Sequence, residues 1–174
     1  TNLALLMRNP KRDHDLVALS VVYDDANIDR QRAEGCKLLE QVTSYAASAD
    51  VKMQSQLRVA TNIANGIMHA FKEFRATEVV IGMHMHFSDS TTFWGKFHQS
   101  LFNGLSRQII MARLMQPLST LRRIVVCVPS RAQFEPGFYR WLERLSRLAE
   151  NLDCRIAYHG RQDTLTRIRQ YELN

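Results

Sequence analysis

The sequence predicts an α/β protein built on a mostly parallel open sheet flanked by helices. Three observations lead there. Leu16 to Tyr23 is a nearly unbroken apolar run, as required of a strand buried on both faces. Stretches of helical period alternate with short apolar or alternating runs along most of the chain. Their order is strand, helix, strand, helix, strand, which two-layer packing resolves as parallel strands joined by right-handed crossovers.

Each element has its own signal. Leu3 to Met7 reads as a helix remnant closed by Asn9-Pro10 and the charged turn Lys11 to Asp15. Asp24-Asp25 closes the first strand, and Asp29 is the expected N-cap of a helix whose buried side is Ala33, Cys36, Leu39, Val42 and Ala46. Val51 to Val59 alternates between apolar and polar residues, the pattern of an edge strand with one wet face. Thr61 or Asn62 caps the next helix, with Ile63, Ile67, Phe71 and Phe74 at helical spacing. Val79-Val80-Ile81 is the following strand. After Gly82 comes a polar and aromatic excursion, His84 to Gln99, and then a helix expected from about Ser100 with Leu101, Leu105, Ile109 and Ala112 on one side, ended by Pro117. Arg123 to Val128 reads as a strand, Pro136 opens a helix with Phe138, Trp141, Leu145, Leu148 and Leu152 as its stripe, Cys154 to Tyr158 is a strand, and Asp163 to Tyr171 is a capped helix. This tail resembles the opening half of a second copy of the same unit.

The totals narrow the classes. With 174 residues, 45% hydrophobic and 23% charged, the chain has the composition of a folded water-facing protein, and no run approaches the ~20 apolar residues of a membrane span. It begins at Thr1 without a basic or apolar leader and reads as a piece of a longer protein. The net charge of +6 is concentrated late, with ten arginines against six acids from residue 122 onward. Those arginines, Arg140, Arg144 and Arg147 among them, recur between apolar residues on helices, so a solvated helix face is expected and not a nucleic-acid stripe. Cys36, Cys127 and Cys154 lack metal-type spacing and are expected to be buried thiols in a reducing compartment.

Ligands of open parallel sheets sit where strands end and helices begin, because backbone N–H groups and the positive helix end converge there. The residues so placed are Val22, Gly82, Met83 and His84, with Gly104, Leu105 and Ser106 at the expected helix start. His84 and His86 would point the same way on an extended chain, but two histidines do not specify a metal site, and only His98 offers itself as a third ligand. Phe87, Phe93, Trp94 and Phe97 either fold back over the strand end or form a partner surface; the fold-back buries more apolar area. Ser88, Ser90, Thr91 and Thr92 near Asp89 read as turn and cap chemistry, because no base is placed to activate a nucleophile. No catalytic or metal-binding residue is assigned, and the chain is not expected to be an enzyme.

The succession of apolar strand, helix, edge strand and helix, then Val79-Val80-Ile81-Gly82, a loop and Gly104, resembles a universal stress protein domain. The resemblance implies a flavodoxin-like sheet of the adenine nucleotide alpha-hydrolase kind. It also implies a loop of Gly, two residues, Gly, about nine residues and Gly-Ser or Gly-Thr whose amides hold nucleotide phosphates. Gly82 takes the first position and Gly104 the last; Met85 replaces the second glycine, and Leu105 precedes Ser106 where the hydroxyl would stand. The candidate ligand is therefore ATP or AMP on a degraded motif. Residues 1–120 correspond to one such domain lacking its first strand, and 121–174 to a partial second unit with Pro129 in the position of the nucleotide-contacting Asp. Because the missing strand is central in that family, Leu121 to Val128 is expected to enter the first sheet, within the chain or by exchange, and a homodimer follows.

A narrower likeness rests on Phe93-Trp94-Gly95-Lys96-Phe97, Arg107-Gln108, Arg122-Arg123-Ile124-Val125-Val126 and Gly137-Phe138-Tyr139-Arg140-Trp141. These resemble the soluble tail that follows the membrane domain of some bacterial cation:proton antiporters. The resemblance implies a regulatory domain on the cytoplasmic face of the inner membrane, partnered by the transport domain of the same polypeptide and not by nucleic acid. The alternative is a ligand-free interaction or dimerisation module.

Overall fold

In the computed structural model, which describes residues 1–11, 15–82, 99 and 107–173, the chain is α/β and its strands form short parallel pairs. Two compact units divide it: His14–Arg113 with Thr1, and Asn2–Asp13 with Leu114–Asn174. The second begins with a short helix, α1 (Asn2–Met7), so the chain visits it before the first unit.

The first unit runs β1 (Leu16–Tyr23), α2 (Ile28–Ser48), β2 (Met53–Ala60), α3 (Ile63–Glu73), β3 (Glu78–Gly82) and β4 (Gln108–Ala112). β1 pairs in parallel with β2, Leu16 opposite Met53 through Tyr23 opposite Ala60. β3 pairs in parallel with β4, Glu78 opposite Gln108 through Gly82 opposite Ala112. The expected helix from Ser100 through Ala112 is thus corrected at its end. Ile109 and Ile110 are β-branched residues in a run too short for periodicity to separate helix from strand, and the edge of β3 decides it.

The two helices reach the strands through glycines. A β-carbon on Gly35 of α2 would lie 2.9 Å from Ser20 Oγ and 3.0 Å from Leu57 Cδ1. One on Gly66 of α3 would lie 2.6 Å from Val21 Cγ1. These approaches set which helix faces are buried. On α2 the buried positions are Gly35, Leu39 and Ala46, so Cys36 and Ala33, expected inside, face solvent. Asn27 occupies the cap position there, and Asp29 falls in the first turn instead. On α3 the Asn62 side chain accepts from Ala64 N at 2.8 Å and Asn65 N at 3.4 Å, as the sequence predicts for one of its two candidates. Arg58 of β2 pairs with Glu73 at the end of α3. Ala64, Ile67 and Phe71 form the buried centre, and Leu19 and Val21 of β1, Val79 and Ile81 of β3, and Ile109 and Met111 of β4 pack against it. One helix therefore covers both strand pairs.

The second unit runs β5 (Arg123–Cys127), α4 (Phe138–Leu152), β6 (Arg155–His159) and α5 (Gln162–Glu172), with one-turn 3-10 helices at Leu118–Thr120 and Ala132–Phe134. β5 pairs in parallel with β6, Arg123 opposite Arg155 through Cys127 opposite His159. The expectation that Leu121 to Val128 joins the first sheet within the chain is overturned: the βαβ connection through α4 gives this strand a local partner and a core of its own. That core is Val128, Ala132, Phe138, Leu142 and Ile168. Thr164, fully buried, donates to Gln133 Oε1 at 2.6 Å. Burial first, and the negative charge of Glu172 second, push the Tyr158 hydroxyl up to about 12, so it stays a neutral phenol at ordinary pH.

Helix α1 is held by side chains of α4. Arg144 donates from Nη1 to Met7 O at 3.1 Å, and Asn151 donates from Nδ2 to Leu6 O at 2.7 Å. Asn9 just beyond donates to Glu143 Oε1 at 2.6 Å. The last carbonyls of a helix lack intrahelical partners, and here a guanidinium and an amide supply them. Arg144 is 5% exposed, which corrects its expected place on a solvated face. Cys127 is also exposed and Cys154 half-buried, against the expectation of buried thiols; Cys127 occupies an outward position of a strand whose exposure alternates.

Three substitutions test this packing. Gly66→Ala gains about 1 kcal/mol of helix propensity and loses about 1–3 kcal/mol to crowding against Val21, so urea melts should show net destabilisation. Gly82→Ala, with nothing within 4 Å of its added carbon, should stay within about 0.5 kcal/mol of the parent. Arg144→Ala leaves the Met7 carbonyl without this donor and should cost about 1–3 kcal/mol, with amide exchange in α1 accelerating ahead of that in α5.

Candidate functional site at the carboxyl ends of β1 and β3

The sequence places a ligand where β1 and β3 end, and the described residues fix part of that region. Val22 is buried at 5% exposure within the end of β1. Gly82 is exposed at the last position of β3, with no left-handed φ and open space beside it. Its missing side chain therefore answers no demand of the described fold and leaves room at the strand end. Met83, His84, Gly104, Leu105 and Ser106 lie outside the described residues, as do His86, His98, the aromatic cluster Phe87, Phe93, Trp94 and Phe97, and the hydroxyl cluster around Asp89.

The β1 end is organised by a residue that sequence reasoning missed. Gln31, in the first turn of α2, accepts from Tyr23 N at 3.0 Å through Oε1 and donates to Asp25 Oδ1 at 2.9 Å through Nε2. The same Asp25 oxygen accepts from Asn27 N at 2.8 Å. Strand, turn and helix are thereby clamped by one amide, which can serve as donor and acceptor at once. A glutamine one turn into a helix that follows an Asp-Asp turn is the signal that could have found it. Asp24 N continues the ladder to Ala60 O at 3.3 Å.

The electrostatics of this end select among ligand groups. Asp24, Asp25 and Asp29 put three carboxylates around the start of α2, and Asn62 already takes two leading amides of α3. Carboxylates repel phosphate and accept well from sugar hydroxyls. Any phosphate contact would have to come from the Gly82 side.

A cavity of about 310 Å³ runs along β1 and β3. Its walls are Val17, Leu19 and Val21 of β1 and the whole of β3, and α3 closes it with Ile67 and Phe71; β2 and β4 contribute nothing. It separates the two strand pairs. A second cavity of about 340 Å³ belongs to the other unit, at the end of β5, lined by Val126 to Ser130, Glu135 and Trp141. Pro129 stands there without a carboxylate of its own. Among the described residues no group of three or more His, Cys, Asp or Glu side chains is placed to hold a metal ion, and no helix is long and apolar enough to cross a membrane.

Fold and site together define a class: an α/β chain of parallel strand pairs with helix starts gathered at the strand ends. In comparisons with known proteins, no family model matches the chain and no curated protein matches it.

Gln31→Ala should remove the clamp without changing the core. We expect a loss of about 1–2 kcal/mol in urea melts and faster amide exchange confined to residues 23 to 27.

Proposed function

We propose that this chain is a regulatory domain of a bacterial cation:proton antiporter, carried at the cytoplasmic face of the inner membrane beside the transport domain of the same polypeptide. In this reading it senses an adenine nucleotide, ATP or AMP. The observation that supports it best is the order of the first unit: β1–α2–β2–α3–β3 with parallel pairs, and the starts of α2 and α3 directly after the strand ends. That order accords with a flavodoxin-like sheet of the universal stress protein type, and the βαβα order β5–α4–β6–α5 accords with a partial second unit.

The ligand would lie at the ends of β1 and β3, by Val22 and Gly82, with Met83, His84, Gly104, Leu105 and Ser106 as the sequence-based candidates for its remaining contacts. The carboxylates after β1 suit the ribose, and the open space at Gly82 suits the phosphates. No residue is assigned a catalytic role. A nucleotide bound there biases the transporter only by the difference in its affinity for the two transport states.

A second reading, a ligand-free interaction or dimerisation module, is favoured by a separate observation. Val125 is 55% exposed and Cys127 is exposed on the outward face of β5, an apolar strand surface without cover among the described residues.

A thermal-shift titration with ATP, ADP, AMP and cyclic dinucleotides separates the readings. A sensor at a hundredfold excess over its dissociation constant should be stabilised by about 2.7 kcal/mol, and Gly82→Asp should abolish the shift while leaving the unliganded midpoint unchanged. If no nucleotide moves the midpoint, the sensor reading falls. A sedimentation profile that then changes with protein concentration supports the module.

A further inference from the structure

We infer that the open face of the β5–β6 pair carries half of a zinc site, Cys127 and His159, which a second copy of this chain completes as a set of two cysteines and two histidines. The inference stands apart from the nucleotide reading. It rests on the dimerisation reading, shares its outward face of β5, and gives it a mechanism.

Register places the two donors. Cys127 is the Cα partner of His159 in the parallel pair, and the ladder continues past them, with Val128 N donating to His159 O at 2.7 Å. Paired residues of neighbouring strands point to the same face, and successive residues of one strand to opposite faces. Val126 and Val128, on either side of Cys127, pack in the core with Phe138 and Leu142 of α4, and so does Tyr158 beside His159. The thiol and the imidazole therefore both point away from the helices, and both residues are exposed. Neither side chain makes a hydrogen bond or ion pair among the described residues. Strands of a sheet lie ~4.7–4.9 Å apart, which lets a cysteine and a histidine share one ion at zinc–sulfur and zinc–nitrogen distances of ~2.3 Å and ~2.0–2.1 Å.

Two donors are too few, because structural zinc is held by four ligands in a tetrahedron. Among the described residues no third His, Cys, Asp or Glu joins them within one copy. Two copies bring two thiolates and two imidazoles, a complete structural set, and each thiol releases its proton to solvent as the ion binds. The rest of the face says how the copies meet. Val125 and Ala157 form the next rung, and Arg123 and Arg155 the rung beyond, guanidinium beside guanidinium. Like charges directly opposite repel, and two copies stacked with strands in the same direction would gather four of these cations. A twofold axis crossing the strands at the Cys127–His159 rung puts the arginine rungs at opposite ends instead. One exposed valine and a half-buried alanine cover far less than the ~800 Å² per partner of a stable interface, so the metal and not the surface makes this dimer.

Sedimentation velocity of the whole chain, kept reduced, tests this with zinc chloride and with EDTA. We expect monomer in EDTA and dimer at one zinc per two chains, and cobalt(II) in place of zinc should give the visible absorption of a tetrahedral thiolate site. Cys127→Ser should abolish the metal-driven dimer. His159→Ala should weaken it by at least the ~10–100-fold that loss of an outer-shell partner already costs. Both positions are exposed, so the urea midpoint of each metal-free variant should match the parent, and Cys36→Ser should leave the dimer intact. One zinc per chain without association overturns the inference, as does a zinc-driven dimer that survives Cys127→Ser. A dimer equally present in EDTA overturns it too, while leaving the dimerisation reading standing.

Discussion

A parallel strand loses water along both edges when it is buried, and its amides and carbonyls then need neighbours on both sides. The first unit meets that constraint halfway. Among the described residues β1 and β3 each have one partner, and α3 packs on both pairs. Its buried face, Ala64, Ile67 and Phe71, gathers Leu19 and Val21 from one pair and Val79, Ile81, Ile109 and Met111 from the other. Gly66 lets this helix come down onto Val21, and Asn62 fixes where it starts. Helix α2 depends on β1 in the same way through Gly35 and is tied to the strand end by Gln31. The position of the candidate site is thus a consequence of two glycines and two amides.

The second unit solves its packing differently. Its strand pair is covered by α4 and α5, whose Phe138, Leu142, Ile168 and Thr164 are the largest fully buried side chains described. Phe138 meets Trp141 edge-on with centroids 5.4 Å apart, a geometry that favours aromatic pairs. Of the polar groups buried in this unit, Asn9, Arg144 and Thr164 have partners that offset their desolvation, whereas the buried Nε of Arg8 has no hydrogen-bond partner.

The α/β class was legible because the strands carry continuous apolar runs and the helices carry stripes, and Asn62 was legible as a cap from its residue type. The strand Gln108–Ala112 was not. Leu101, Leu105, Ile109 and Ala112 keep helical spacing, and only the presence of a β3 edge, a non-local fact, turns the end of that run into a strand. The depth of Arg144 was equally hidden, because its partner is a main-chain carbonyl 137 residues away and carbonyls leave no trace in a sequence pattern. Cys36 was misplaced by one position on its helix because Gly35, which carries no hydrophobic signal, is the residue that touches the sheet. Of the candidate site, Val22 and Gly82 stand near the ends of β1 and β3, strands that their apolar runs had marked, and the clamp Gln31 was overlooked because its role depends on a turn whose geometry a spacing rule does not encode.

The attachment of α1 carries a consequence for how the chain is made. Its two terminal carbonyls are satisfied by side chains 137 and 145 residues later. During synthesis at ~5–20 residues per second, α1 emerges roughly seven seconds or more before Arg144 and Asn151 exist. A six-residue helix does not persist alone over such an interval. Helix α1 is thus among the last parts of its unit to find its place, and the whole first unit is synthesised between the two segments of the second.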